Sequence, residues 1–338
     1  MDTPYYLFDT NIVKQNYDML KNSLAVDRLF YALKPNSEDR ILEVLNTNGA
    51  NFEIASVGEL EKLKRMNVNS ERIICSLPVK SDEMIESMYR YGIRYFVFDT
   101  EYEYLKLRRL ASDAKLILRI DITDIAEKTI EFGMAYENFA EALQKGTLRS
   151  EHIDGITFYI SKNKDADKII KALEYSEHFL KHLNKKSILN IGGNYRLPTE
   201  VSSDFYERLN RKLSSLKEKY GCILFAEPGR SVVKSAGKLI TSVIGVKRDK
   251  KYVYIDAGIP TGISYCPNEI VNLTRQEETE PIEYSFFDIT CSHRLLFKTR
   301  LPFDININDH LEFRNFGSYS ICKSSNFHGW ETPACYYI

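Results

Sequence analysis

Between Arg28 and Ala226 short apolar runs alternate with longer stretches of helical period, and this alternation constrains the fold more than any other feature. Eight runs read as strands: Leu29 to Leu33, Asn51 to Ile54, Arg72 to Cys75, Tyr95 to Phe98, Lys115 to Ile120, Gly155 to Ile160, Ser187 to Ile191 and Cys222 to Ala226. Helical patterns such as Val57 to Met66, Asp82 to Tyr91, Glu101 to Leu110, Asp165 to Leu183 and Ser203 to Tyr220 separate them. Strands that alternate with helices pair in parallel through right-handed crossovers, and eight of them close on themselves. The expected fold class is therefore α/β, a (β/α)8 TIM barrel.

After about Lys234 the pattern changes. Leu239 to Val246, Lys251 to Ile255, Glu283 to Asp288, Leu311 to Phe313 and Tyr336 to Ile338 read as strands joined by turns, so a C-terminal all-β domain is expected. The opening run Tyr5 to Phe8 is also strand-like and precedes the first barrel strand, which suits pairing with that second domain. The expected division is a barrel over 9–236 and a β domain made of 1–8 and 237–338.

Charge and cysteine usage exclude several classes of function. Lys and Arg number 46 against 47 Asp and Glu, so there is no basic field for nucleic acid. The opening Met1-Asp2-Thr3-Pro4 has no basic or long apolar region and no later run is long enough for a membrane span, which makes a cytoplasmic protein the expectation. The 6 cysteines show no C-x-x-C spacing and are expected to be mostly small buried hydrophobes. His178 and His182, four apart on a polar helix, are read as a solvated face, and no metal site is expected.

Barrel enzymes keep their chemistry at the carboxyl ends of the strands, and four stretches fall there. Phe30-Tyr31-Ala32-Leu33-Lys34-Pro35-Asn36 ends the first strand on a lysine, the residue type that attacks carbonyls to form Schiff bases. Phe52-Glu53-Ile54-Ala55-Ser56 places a carboxylate among apolar neighbours. Gly192-Gly193-Asn194 follows the seventh strand with a glycine pair that lets backbone N–H groups approach a phosphate. Glu227-Pro228-Gly229-Arg230 follows the eighth with an acid, a turn and a phosphate-matching guanidinium. A strand-end lysine, a phosphate grip and an acid for a pyridine nitrogen together meet the needs of pyridoxal 5'-phosphate (PLP).

These stretches also resemble a known family, the fold type III PLP-dependent decarboxylases that include ornithine and diaminopimelate decarboxylases. The likeness runs from about Tyr5 to Ile338. Tyr31 to Asn36 is similar to the family's Tyr-Ala-Val-Lys-x-Asn, Phe52 to Leu60 to its Phe-Asp-x-Ala-Ser-x-Gly-Glu-Leu, and Glu227 to Arg230 to its Glu-Pro-Gly-Arg. Phe316-Gly317-Ser318-Tyr319 with Phe327-His328-Gly329-Trp330 is similar to the stretch whose tyrosine touches the cofactor phosphate.

The resemblance implies an alanine racemase-like fold and a homodimer with shared active sites that binds a small amino-acid substrate, in polyamine or specialised-metabolite biosynthesis. It implies Lys34, Glu227 and Cys291 as catalytic residues, with Cys291 lent by the partner subunit. It implies a cofactor site of Lys34, Glu53, Tyr159, Gly192, Gly193, Asn194, Glu227, Gly229, Arg230 and Tyr319. Substrate contacts fall on Ser292, Arg294, Glu269 and Phe327. An acid at Glu227, where racemases of this fold carry an arginine, favours decarboxylation of an α-carboxylate over racemisation.

The chain departs from the family at three places. Tyr159 stands where a histidine covers the cofactor ring, and Lys162 stands where a serine helps hold the phosphate. The residues after Cys291 are Ser292, His293 and Arg294, without the acid that binds a distal ammonium, which leaves Glu269 to replace it. Glu131 and Arg294 reverse the signs of a lysine and an aspartate that pair across the family's dimer, so Arg294 has two readings, an interface residue or a pocket residue for an anionic substrate tail. Two alternatives to a decarboxylase stay open: an inactive binding protein like the antizyme inhibitors, and a racemase.

Overall fold

The computed structural model describes residues 2–127, 131–161, 166–275 and 277–338. These group into two compact units, one of Met1–Gln15, Lys34–Val44 and Val232–Ile338, the other of Asn16–Leu33 and Leu45–Ser231. Strand β1 (Tyr5–Phe8) belongs to the first unit. The second holds β2 (Arg28–Ala32), β3 (Asn51–Ile54), β4 (Ile73–Cys75), β5 (Tyr95–Phe98), β6 (Lys115–Arg119), β7 (Gly155–Thr157), β8 (Ile188–Asn190) and β9 (Ile223–Ala226).

The expected barrel is present. Strands β2 to β9 pair in sequence order and close, with Arg28 opposite Phe225 and Leu29 opposite Ala226. Every rung is parallel, for example Tyr31 opposite Phe52 and Phe96 opposite Leu116. Such strands are buried on both faces, which is why they read as nearly continuous apolar runs. Phe30, Ile74, Val97, Ile117, Ile188 and Phe225 fill the interior, with Tyr95 packed against them. Ser56, Ser81 and Thr100 cap the helices that begin at Val57, Asp82 and Glu101, each accepting an N–H of the first turn.

The other unit is a sheet in the order β12-β15-β10-β11-β13-β14. Its strands are β10 (Gly237–Lys247), β11 (Tyr252–Ile255), β12 (Glu269–Asn272), β13 (Ile282–Phe287), β14 (Leu295–Leu301) and β15 (His310–Arg314), with β16 (Ala334–Tyr337) alongside. As expected, β1 pairs here, antiparallel to β10 and parallel to β16.

Several expectations need correction. Strands β12 and β14 went unread because both lie at sheet edges, where charged residues such as Glu269, Lys298 and Arg300 interrupt the apolar alternation. Strand β7 ends at Thr157 rather than Ile160, so Tyr159 lies on the loop beyond it. Only Cys75 and Cys222 are buried; Cys266, Cys291 and Cys322 are exposed because they sit on loops or a short 3-10 turn rather than on inward-facing strand positions. His178 and His182 are both exposed, as read from the sequence, and their rings also lie against Tyr136 and Phe139. Among the described residues no helix is long and apolar enough to cross a membrane, and no group of three His, Cys, Asp or Glu is placed to hold a metal.

Candidate active site

The carboxyl ends of the barrel strands carry a connected polar group. Glu227 follows β9, and its Oε1 accepts from Ser76 Oγ at 2.5 Å and from Asn190 Nδ2 at 2.6 Å. Ser76 lies just beyond β4 and Asn190 ends β8. Burial pushes the Glu227 carboxyl above its ordinary pKa, while Ser76, Asn190 and the Arg119 charge pull it back. Arg119, the last residue of β6, is itself lowered by burial and is held charged by Glu227 first, then Asp99, Tyr159 and Glu53. Its guanidinium also lies over the Phe132 ring, 5.2 Å from the centroid. Asp99 Oδ2 accepts the Gly133 N–H at 3.2 Å, whereas the buried Oδ1 has no hydrogen-bond partner among the described residues.

The glycine pair earns its place by close approach. A Cβ on Gly192 would lie 2.3 Å from Phe158 O, and one on Gly193 2.3 Å from Glu227 O. Gly192 also sits at φ +64, where a side chain is strained. Asn190 Oδ1 takes the Gly192 N–H at 3.0 Å, so one buried asparagine ties the turn to the acid. Asn194 is left-handed too, at φ +70, with its amide directed to Ile160 O at 3.4 Å. Gly229 is buried, while Tyr159 and Arg230 are exposed. Lys162 lies outside the described residues.

The β-sheet unit holds the remaining candidates. Lys34 is exposed, and the two residues after it are clamped. Pro35 O accepts the Tyr319 N–H at 2.8 Å and the Cys322 thiol at 3.2 Å, while Asn36 Nδ2 donates to Gly317 O at 2.9 Å. The lysine stretch and the Phe316-to-Tyr319 loop are thus joined, with Tyr319 held at φ +52.

Cys291 sits on a tight loop organised by Asp288, a buried acid. Asp288 Oδ1 accepts the Ile259 N–H at 3.0 Å. Its Oδ2 accepts the Thr290 hydroxyl and, at 3.3 Å, the Ser292 hydroxyl. Its own N–H donates to Arg294 O at 2.9 Å. Cys291 and His293 are consequently left-handed, at φ +56 and +54, and both are exposed with Ser292 and Arg294. Glu269 is paired with Arg314 at 2.7 Å, and Phe327 is exposed and stacked on His328.

Four residues with evident work here were not singled out from the sequence: Ser76, Arg119, Asn190 and Asp288. A signal exists for three of them, since Ser76, Arg119 and Asn190 are the polar residues at the ends of apolar strands in Ile73-Ile74-Cys75-Ser76, Leu116-Ile117-Leu118-Arg119 and Ile188-Leu189-Asn190. Asp288 carries no such signal.

Comparison with known proteins agrees with this geometry. The family model described as pyridoxal-dependent decarboxylase, pyridoxal binding domain, matches residues 10–234. The chain is 27% identical over 369 residues to the chloroplastic ornithine decarboxylase of Nicotiana glauca, covering 98% of this chain and 82% of that protein. It is 26% identical over 363 residues to antizyme inhibitor 2 of Xenopus laevis, covering 97% and 79%. Among solved structures it is similar to the lysine/ornithine decarboxylase of Vibrio vulnificus complexed with cadaverine, with TM-score 0.85, 26% identity and coverage of 99% and 94%.

The residues present fit the cofactor on two counts. A half-buried carboxyl with a raised pKa at the barrel end is suited to a protonated ring nitrogen, which would relieve the cost of ionising it. The turn beside it tolerates only glycine at two successive positions, bringing backbone close to whatever lies at the mouth. The chain therefore belongs to the pyridoxal-dependent decarboxylases, as an amino-acid decarboxylase whose cofactor is pyridoxal 5'-phosphate.

Proposed function

We propose that this enzyme removes the α-carboxylate of an amino acid or amino-acid-derived intermediate, with Lys34 as its Schiff-base lysine. The observation that carries the proposal is Glu227, half-buried just after β9 and braced by Ser76 and Asn190. When bound, the cofactor supplies the electron sink for the bond that breaks. Glu227 keeps the proton on the ring nitrogen, and Asn190 and Ser76 hold its carboxylate in line. By the family resemblance, Arg230, Tyr319 and the turn at Gly192, Gly193 and Asn194 would hold the phosphate. Lys34 would hold the cofactor through its amine.

In this reading the active form is a homodimer, and Cys291 of one subunit delivers a proton to the α-carbon in the other's site. The strained, exposed loop that Asp288 organises supports a delivered rather than a buried thiol. The distal substrate group is met by Ser292, Arg294 and Phe327. Glu269, whose Oε1 pairs with Arg314, would meet a cationic tail through its other carboxylate oxygen.

The test is a mass-spectrometric screen of PLP-loaded protein against L- and D-amino acids with basic, acidic and conjugated side chains, reading loss of carbon dioxide. Borohydride reduction followed by peptide mapping should label Lys34. Label elsewhere, or none, would refute the assignment of the lysine and favour a binding protein like the antizyme inhibitors.

A further inference from the structure

The amino ends of the barrel strands, opposite the proposed chemistry, carry an unexpected set of charges. In a strand alternate residues share a face, so the interior residues Phe30, Val97, Ile117 and Phe225 place Arg28, Tyr95, Lys115 and Ile223, each two positions earlier, in the layer at the barrel's base, and Lys186 joins them from the turn before β8, where it sits at φ +72. That layer in such barrels is ordinarily filled by branched apolar side chains. Here it surrounds a cavity of about 100 Å³ lined by Arg28, Lys115 and Lys186 among aromatic and aliphatic neighbours.

None of the three cations has a carboxylate within ion-pair distance among the described residues. Elsewhere on this chain surface cations do pair, as Arg109 does with Asp82 and Lys145 with Glu141. Arg28 instead donates to Glu71 O at 3.2 Å and lies over the Tyr95 and Phe225 rings, and Lys115 also lies over Tyr95. The one acid in the lining, Asp154, commits Oδ2 to the Leu116 N–H at 2.9 Å. Burial raises the pKa of the Asp154 carboxyl, while the Leu116 N–H and the Lys115 charge pull it back. Three cations against one carboxylate leave the opening with an excess of positive charge, and an anion seated among them turns the repulsion between the cations into attraction.

We propose that the base of the barrel is a binding site for a phosphate group, free or carried by a small metabolite, held by Arg28, Lys115 and Lys186. Arg28 presents its fork from a fixed position against two rings, and the lysines supply mobile point charges at the rim. The site lies outside the catalytic machinery, so its occupation is readable without turnover.

Isothermal titration of PLP-loaded protein with inorganic phosphate, at ionic strength held constant with chloride, tests the proposal. Cofactor absorbance is followed in parallel, so that displacement of PLP is seen directly. Saturable binding at one site per chain is expected, weakened about tenfold in Lys115→Ala and further in the Lys115→Ala, Lys186→Ala double variant. Both lysines are exposed, so unchanged melting temperatures will show that the variants fold. A nucleoside monophosphate as the second titrant distinguishes the sources: tighter binding than phosphate identifies a carried group, and weaker binding a free one. No saturable binding, or binding that the double variant leaves unchanged, overturns the proposal.

Discussion

Glu227 shows how one environment sets the chemistry of a side chain. Burial disfavours its ionised form, the form the proposed ring-nitrogen role needs, and the donors Ser76 and Asn190 oppose that tendency. Removing one donor raises the carboxyl's pKa further, so more alkaline conditions are needed to ionise it. Ser76→Ala should therefore move the acid limb of the kcat/KM pH profile upward by about one unit, as expected for loss of one hydrogen bond to a charged group. An unmoved limb would mean that Ser76 does not act on the ionised form. Asp288 works on backbone rather than on charge. Asp288→Ala leaves the Ile259 N–H and the Thr290 and Ser292 hydroxyls without their acceptor. It should cost about 1–3 kcal/mol in urea unfolding. It should also lower kcat more than it raises KM, because the loop presents Cys291; a change confined to KM would assign the loop to binding instead.

Between elements, the helices Ala166–Leu180 and Phe205–Tyr220 are stapled by one carboxylate. Glu177 of the first accepts from Lys212 at 3.0 Å, Lys219 at 2.6 Å and Tyr220 at 3.0 Å on the second. Burial opposes its ionisation, but the three donors prevail and lower its pKa from the ordinary 4.5 to about 2. A folded pKa below the unfolded one stabilises the protein above the unfolded value, and the gain is lost as pH falls through the folded one. Glu177→Gln should then cost about 0.5–1 kcal/mol near neutral pH, a modest figure because the network lies at the surface. The gap from the parent protein should close as pH approaches 2. Urea titrations of both proteins across that range measure it, and a pH-independent difference would assign the loss to packing.

At the scale of the whole molecule, the proposed homodimer gives Arg294 and Glu131 a test of their own. Both are exposed, with signs opposite to those the resemblance leads one to expect. If they pair across subunits, Glu131→Lys and Arg294→Glu each weaken the dimer in sedimentation measurements, while the double variant recovers it; a double variant no better than either single would exclude the pairing. Eight runs, their order and the strand-end positions of Glu53, Gly192 and Glu227 were legible in the sequence, because doubly buried parallel strands are locally apolar and the residues at their ends are set by chain order. The edge strands β12 and β14 were not, since only their ladders to β15 and β13 define them. Nor were the joining of Asn190 to Glu227, the clamp of Pro35 by Tyr319, the hold of Asp288 on the Cys291 loop, or the cations at the barrel's base. Each of these joins residues through packing, pairing or loop closure that local pattern does not encode. The sequence by itself determined which elements form and which residues stand at their ends; tertiary structure alone decided which of those residues meet, because a hydrogen bond or a shared cavity depends on distance in space.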